Sequence, residues 1–175
     1  MFSAWQHVVL DIDGDTKPDV QCDAREMHGL EPNAYDAVFS SHMLEHFPAH
    51  EVGRVLTGCH HVLNPGGMVL AVVPDVAGVM RRMVAEGKDI DDECYLTADG
   101  LSISFHDIVY GWGRMIEQGN GYYAHKRGYS LKSFSTGFSA AGFPHVYCHA
   151  FEYDLTVWAF KAPPTEAQRK MFQLD

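Results

Sequence analysis

The run HHVLNPGGMVLAVVPD (60–75) decides the fold. Its centre, Met68 to Val73, is apolar at every position. A strand apolar on both faces belongs inside a parallel sheet with helices covering each side. Asn64-Pro65-Gly66-Gly67 punctuates the chain before this strand and Pro74 stops it. Upstream, Val52, Val55, Leu56, Cys59 and Leu63 recur at helical spacing, with Pro48 near the helix start. Downstream, Asp75 can cap a helix whose inward stripe is Val76, Val79, Met80, Met83 and Val84, and Gly87 ends it.

The same alternation extends in both directions. His7 to Ile12, Asp19 to Cys22 and Tyr35 to Ser40 read as further strands. Ser130 caps a helix that turns Leu131, Phe134 and Phe138 inward and stops at Gly142, and strands over 145–151 and 155–161 complete the pattern. Residues 88–130 break the rhythm with an acidic segment, a helix carrying Phe105, Ile108, Val109, Trp112 and Ile116, and the glycine-punctuated Gly119 to Gly128. An insertion this long and aromatic reads as a lid over a site. The expected architecture is α/β with a mainly parallel sheet and helices on both faces. Residues 1–161 form one domain, and 162–175 form a polar tail.

Composition sets the class. With 46% hydrophobic and 21% charged residues, the 175-residue chain has the makings of a folded core and is no disordered segment. Its 13 basic against 23 acidic side chains give a net charge of −10, which argues against a nucleic-acid partner. No apolar run reaches membrane-span length and no basic, then apolar, leader opens the chain, so a soluble cytoplasmic protein is expected. Cys22, Cys59, Cys94 and Cys148 lie far apart with no CxxC pair, and read as buried thiols.

Of eleven histidines, His42, His46 and His50 share the i, i+4, i+8 spacing of a metal-binding helix face. Pro48 interrupts that helix and no HExxH pattern is present, so no metal site is expected. A GxSxG nucleophile elbow is also lacking, which removes the serine hydrolases.

Four segments taken together resemble class I S-adenosylmethionine-dependent methyltransferases: VVLDID (8–13), CDAREM (22–27), YDAVFSSHMLEHF (35–47) running to HHVLNPGGMVLAVVPD, and LKSFSTGFSAAGF (131–143). The nearest likeness is to small predicted methyltransferases with "SHxLEHF" and "RVLxPGG" motifs, whose "GxxxxIxxGNxxxAHKxG" region is similar to Gly111 to Gly128. The resemblance implies a Rossmann-like sheet and S-adenosyl-L-methionine as cofactor. It places Asp11, with Asp13 as neighbour, at the ribose hydroxyls. Asp23 falls at the adenine amino group, with the Ala24 and Arg25 backbone beside the ring, because a carboxylate accepts but cannot donate. Ser40 and Ser41 fall near the methionine part, and His42, His46, His106 and His125 fall on the acceptor side. Acids also end strands and cap turns, and histidines also sit in solvated loops.

The sequence departs from the family in one respect. No LxLGCG-like glycine loop precedes Asp11, and too few residues separate Asp13 from Asp23 to hold a helix and a strand. The implied sheet therefore lacks the first family strand. Either His7–Ile12 and Tyr35–Ser40 then pair directly, or a second chain, making a homo-oligomer, covers the exposed edge. Two functions remain in view: methyl transfer to a small-molecule or glycan-like acceptor, and a non-catalytic methyltransferase-like binding or assembly module.

Overall fold

A computed structural model describes residues 5–174, so residues 1–4 of the expected domain and the final residue of the tail lie outside it. Strands β1 (Leu10–Asp11) and β2 (Val20–Gln21) open the fold, followed by β3 (Tyr35–Ser41), α1 (Ala49–Val62), β4 (Leu63–Pro74) and α2 (Val76–Ala85). The insertion holds β5 (Glu93–Leu96), β6 (Ser102–Ser104), α3 (Phe105–Tyr110) and α4 (Gly113–Glu117). Helix α5 (Leu131–Ala140), β7 (His145–Phe151), β8 (Asp154–Phe160) and α6 (Glu166–Phe172) complete it.

The caps stand where local chemistry puts them. Asp75 accepts the Gly78 N–H at 2.9 Å to start α2, and Ser130 and Ser133 form a reciprocal capping box at α5. Gly142, at φ 99°, follows α5 in the left-handed region that only glycine adopts freely. Phe134 and Phe138 are buried as their spacing requires, whereas Leu131, Met80 and Val84 are exposed. Helix α2 buries only Val79 fully, because it packs on the small insertion and not on the broad face of the sheet.

The main sheet has the order β3-β4-β8-β7. Strands β3, β4 and β7 run in one direction in it, and β8 alone runs against them, so the sheet is mixed with one reversed strand. The reason is the tight turn at Glu152-Tyr153, which pairs Phe151 with Asp154 and forces a hairpin. Helices cover both faces. On one, α1 and α5 bury Val55, Leu56, Cys59, Phe134 and Phe138 against β4 and β8. On the other, residues 166–172 form α6 and seat Phe172 and Leu174 on Met68, Leu70 and Phe160. The expected polar tail is thus a docked helix, capped by Thr165.

Strands β1 and β2 pair with each other in parallel as a separate two-stranded sheet. Among the described residues, His7–Ile12 and Tyr35–Ser40 share no strand ladder, so the expected direct pairing is not formed there. A groove lies between them, with Val8 and Leu10 on one wall and Tyr35, Val38 and Phe39 on the other.

Residues 88–130 are more structured than their sequence suggests. Hairpin β5–β6 and α3 bury Cys94, Phe105 and Ile108 against Val79 of α2. The single helix expected over 105–116 is two, broken at Gly111, whose φ is 102°. All four cysteines are free thiols, with Cys59 and Cys94 buried.

Candidate functional site

The end of β3 and the segment after it contribute to two cavities. Ser40, Ser41 and Met43 line one of about 290 Å³, together with Ala24, Met27 and Leu10. His42 and His46 line another of about 400 Å³, with His125, Tyr95, Tyr153 and Asp154. The chain between Ser40 and His46 therefore contributes to both concave sites. It is held by the His42 N–H donating to Val72 O at 3.0 Å and by the short 3-10 turn Leu44–His46. His42 has φ 49°, an uncommon backbone state for a residue with a side chain, of the kind found at functional positions.

In the first cavity Ser40 is buried and its hydroxyl has no hydrogen-bond partner among the described residues. Such a group is costly unless something satisfies it. The acids beside this cavity are largely committed to their own chain. Asp11 Oδ1 accepts the Asp13 N–H at 2.9 Å, and Asp13 caps the turn Gly14–Thr16 through the Asp15 N–H at 2.9 Å. Asp23 caps the turn Ala24–Gly29 and accepts from the Arg25 backbone N–H at 2.9 Å, its Nε at 3.0 Å and its Nη2 at 2.5 Å. Arg25 also reaches Glu51 at 3.0 Å. Of the cofactor positions implied by sequence, the structure thus gathers Ala24, Ser40 and Ser41 on one cavity. Asp11 adjoins the lining Leu10, while Asp23 and Arg25 close on each other.

The Arg25 hydrogen bonds hold the Asp23 carboxyl below the ordinary carboxylate range, against an opposing effect of burial. A carboxyl held low contributes stability that is present above its unfolded value and lost as pH falls through its folded one. Asp23→Asn is therefore expected to destabilise the protein at neutral pH, with the gap closing in acid. Urea unfolding across pH measures this; a gap of constant size would count against it.

The second cavity collects three of the four expected histidines. His125 comes from the insertion, and two anchors place it: its N–H donates to Tyr110 O at 2.9 Å, and Gly111 bridges Ala124. The neighbouring Lys126 and Arg127 N–H groups donate to Glu45 O at 2.8 and 3.2 Å, stitching the insertion to the 44–46 turn. Tyr129, whose hydroxyl donates to Leu44 O at 3.2 Å, adds to this seam, and burial pushes its phenol up to about 12. His106 does not join the others. It is exposed on α3, with its ring 4.8 Å from that of Tyr110, and it is not among the residues lining this cavity. The helical period carries it to the outer face, while Asp107 and Ile108 face the cavity.

Charge is concentrated here. His42 Nδ1 lies 3.3 Å from Glu45 Oε1 and its Nε2 lies 3.7 Å from Asp154 Oδ2. Contact with Glu45 raises His42 above its ordinary value, Asp154 adds to this, and burial opposes it. Burial raises the Asp154 carboxyl and holds His125 low. Sequence reasoning passed over Glu45, Asp154 and Tyr95. Only the LEH run marked Glu45, and the other two lie on strands whose pairing brings them to the cavity.

Residues 6–71 match the model of a family described as a methyltransferase domain. The fold is similar to an S-adenosylmethionine-dependent methyltransferase from Mesorhizobium loti (TM-score 0.55, 17% identity, 86% of this chain and 78% of that one). A similar match is a SAM-dependent methyltransferase from Archaeoglobus fulgidus (TM-score 0.54, 13% identity, 86% of this chain and 74% of that one). The chain spans about a third of some longer matches, including 34% of an O-methyltransferase family protein from Burkholderia thailandensis (TM-score 0.48, 15% identity, 82% of this chain). No curated protein matches the sequence significantly. The chain has the α/β fold of these methyltransferases, and residues 6–71 are similar to a methyltransferase domain.

Proposed function

We propose that this chain transfers a methyl group from S-adenosyl-L-methionine to a small-molecule or glycan-like acceptor in the cytoplasm. The observation that supports this reading is that Ser40–His46 contributes to two cavities, with Ser40, Ser41 and Met43 lining one and His42 and His46 the other. The cofactor, when bound, supplies an electrophilic methyl on a sulfonium. Ser40, with its unpartnered buried hydroxyl, Ser41, the Ala24 backbone and the second oxygen of Asp11 are the groups that would hold it.

The acceptor side is the histidine-lined cavity, where Tyr95 and Tyr153 stack at 4.6 Å and offer an aromatic wall suited to a small ring or sugar face. Methyl transfer is an in-line displacement, so holding the two reactants in register supplies most of the acceleration. His42, with one ring nitrogen toward Glu45 and the other toward Asp154, is placed to orient an acceptor hydroxyl or amine as a hydrogen-bond donor. Net charge −10 disfavours a nucleic-acid acceptor, and four free thiols suit a reducing compartment.

Calorimetric titration with S-adenosylhomocysteine tests the reading. Binding is expected in the wild type and is expected to weaken by about 1–3 kcal/mol in Ser40→Ala, which removes a polar partner from the ligand. His42→Ala should retain that binding and lose turnover with a panel of hydroxylated acceptors. A wild type that binds no S-adenosylhomocysteine at millimolar concentration would instead favour the non-catalytic binding or assembly module.

A further inference from the structure

Glu45 is 1% exposed, and neither carboxylate oxygen has a hydrogen-bond partner among the described residues. His42, half exposed, faces Oε1 at 3.3 Å as an ion-pair partner, and Oε2 has no cation or donor against it among the described residues. A carboxylate taken out of water without donors is among the most costly groups a fold can hold, unless a cation sits against it.

The two nearest imidazoles are prepared in a particular way. His46 Nδ1 lies 3.1 Å from Ala124 O, and His125 Nδ1 lies 3.0 Å from Ile108 O. A carbonyl only accepts, so each Nδ1 carries the proton and each Nε2 is left with a lone pair. This outer-contact pattern fixes the tautomer and orientation of metal-binding histidines. Their rings stand 5.1 Å apart at 59°, so they converge without stacking. One ligand atom each from Glu45, His46 and His125 lie within 4.8 Å of one another. Ligands of a tetrahedral zinc-type ion sit roughly 3.4 Å apart at bonds of about 2.1 Å, so rotation of the carboxylate and a modest closure of the rings complete the set.

We infer that Glu45, His46 and His125 form a binding site for a divalent transition-metal ion, of the two-histidine, one-carboxylate type. Nitrogen and carboxylate ligands together select zinc-class ions over magnesium or calcium, which prefer all-oxygen shells. Three protein ligands leave a coordination position open, and His46 and His125 both line the 400 Å³ cavity. An oxygen or nitrogen of a molecule bound there would occupy it. That last step rests on the methyl-transfer reading; the metal site does not. The histidine spacing within residues 42–50 pointed elsewhere, because one of the true ligands comes from the insertion.

The test is a titration of Zn²⁺ into the chelator-treated full chain by calorimetry, with Co²⁺ in parallel read by visible absorption. No cofactor or acceptor is present, so the outcome is independent of methyl transfer. One saturable equivalent per chain is expected, with the intense Co²⁺ bands of a four- or five-coordinate site. Glu45→Gln and His125→Gln should each weaken Zn²⁺ binding by about 100-fold or more. His50→Gln, whose side chain is 81% exposed outside the cluster, should leave it unchanged. The inference is overturned if the wild type shows no saturable equivalent, or if the equivalent survives both cluster variants. Should those variants fail to fold, the wild-type Co²⁺ spectrum decides alone: weak, octahedral bands would reject a site built from these residues.

Discussion

Phe138→Ala is expected to lower the unfolding free energy by about 3–5 kcal/mol, a large share of the stability of an ordinary domain. The ring is fully buried on the inner face of α5. It meets Phe134 edge-on with centroids 5.4 Å apart and Phe143 at 5.9 Å, so three aromatic residues share one packed cluster against α1 and the sheet. Truncation removes the buried surface of the ring, leaves a cavity that its rigid neighbours cannot fill, and breaks both edge-on contacts. In urea the midpoint should fall with the slope unchanged. A loss below about 1 kcal/mol would mean that α5 is not docked as described. Leu131→Ala on the same helix, at an exposed position, should cost little by comparison.

Gly111→Ala is expected to destabilise by about 2–4 kcal/mol and to displace His125. Two effects combine. At φ 102° the backbone lies where an L side chain is strained, and a Cβ there would stand 2.0 Å from Tyr123 O and 2.9 Å from Ala124 Cα. The segment that must yield is the one that bridges Gly111 and delivers His125 to the cavity. Gly119→Ala separates the terms. Its φ is 92° but a Cβ there meets nothing within 4 Å, so it carries conformational strain alone, about 1–2 kcal/mol. Equal losses for the two variants would show that the close approach at Gly111 is relieved cheaply. Nuclear magnetic resonance of the histidine side chains would report the displacement of His125 directly.

What the sequence determined by itself was local. Asp75, Ser130 and Pro48 mark helix starts because capping is a matter of a few adjacent backbone groups. Met68–Val73 reads as a buried strand because every position is apolar. The motif order from VVLDID to LKSFSTGFSAAGF sufficed to indicate the methyltransferase fold. Tertiary structure decided whatever depended on distant partners. Phe172 and Leu174 looked isolated in a polar tail until Met68, Leu70 and Phe160 offered them a surface. Strand direction over 145–160 turned on two residues, Glu152 and Tyr153, whose turn favours a hairpin that the apolar pattern cannot distinguish from a crossover. His106 and His125 look equally eligible in the insertion, yet one faces water and the other meets His46. Period and capping act over one or two turns of chain and are written in neighbouring residues. Convergence of Glu45, His46 and His125 depends instead on how Gly111 bends the chain and where Ala124 finds its partner, and only packing fixes that.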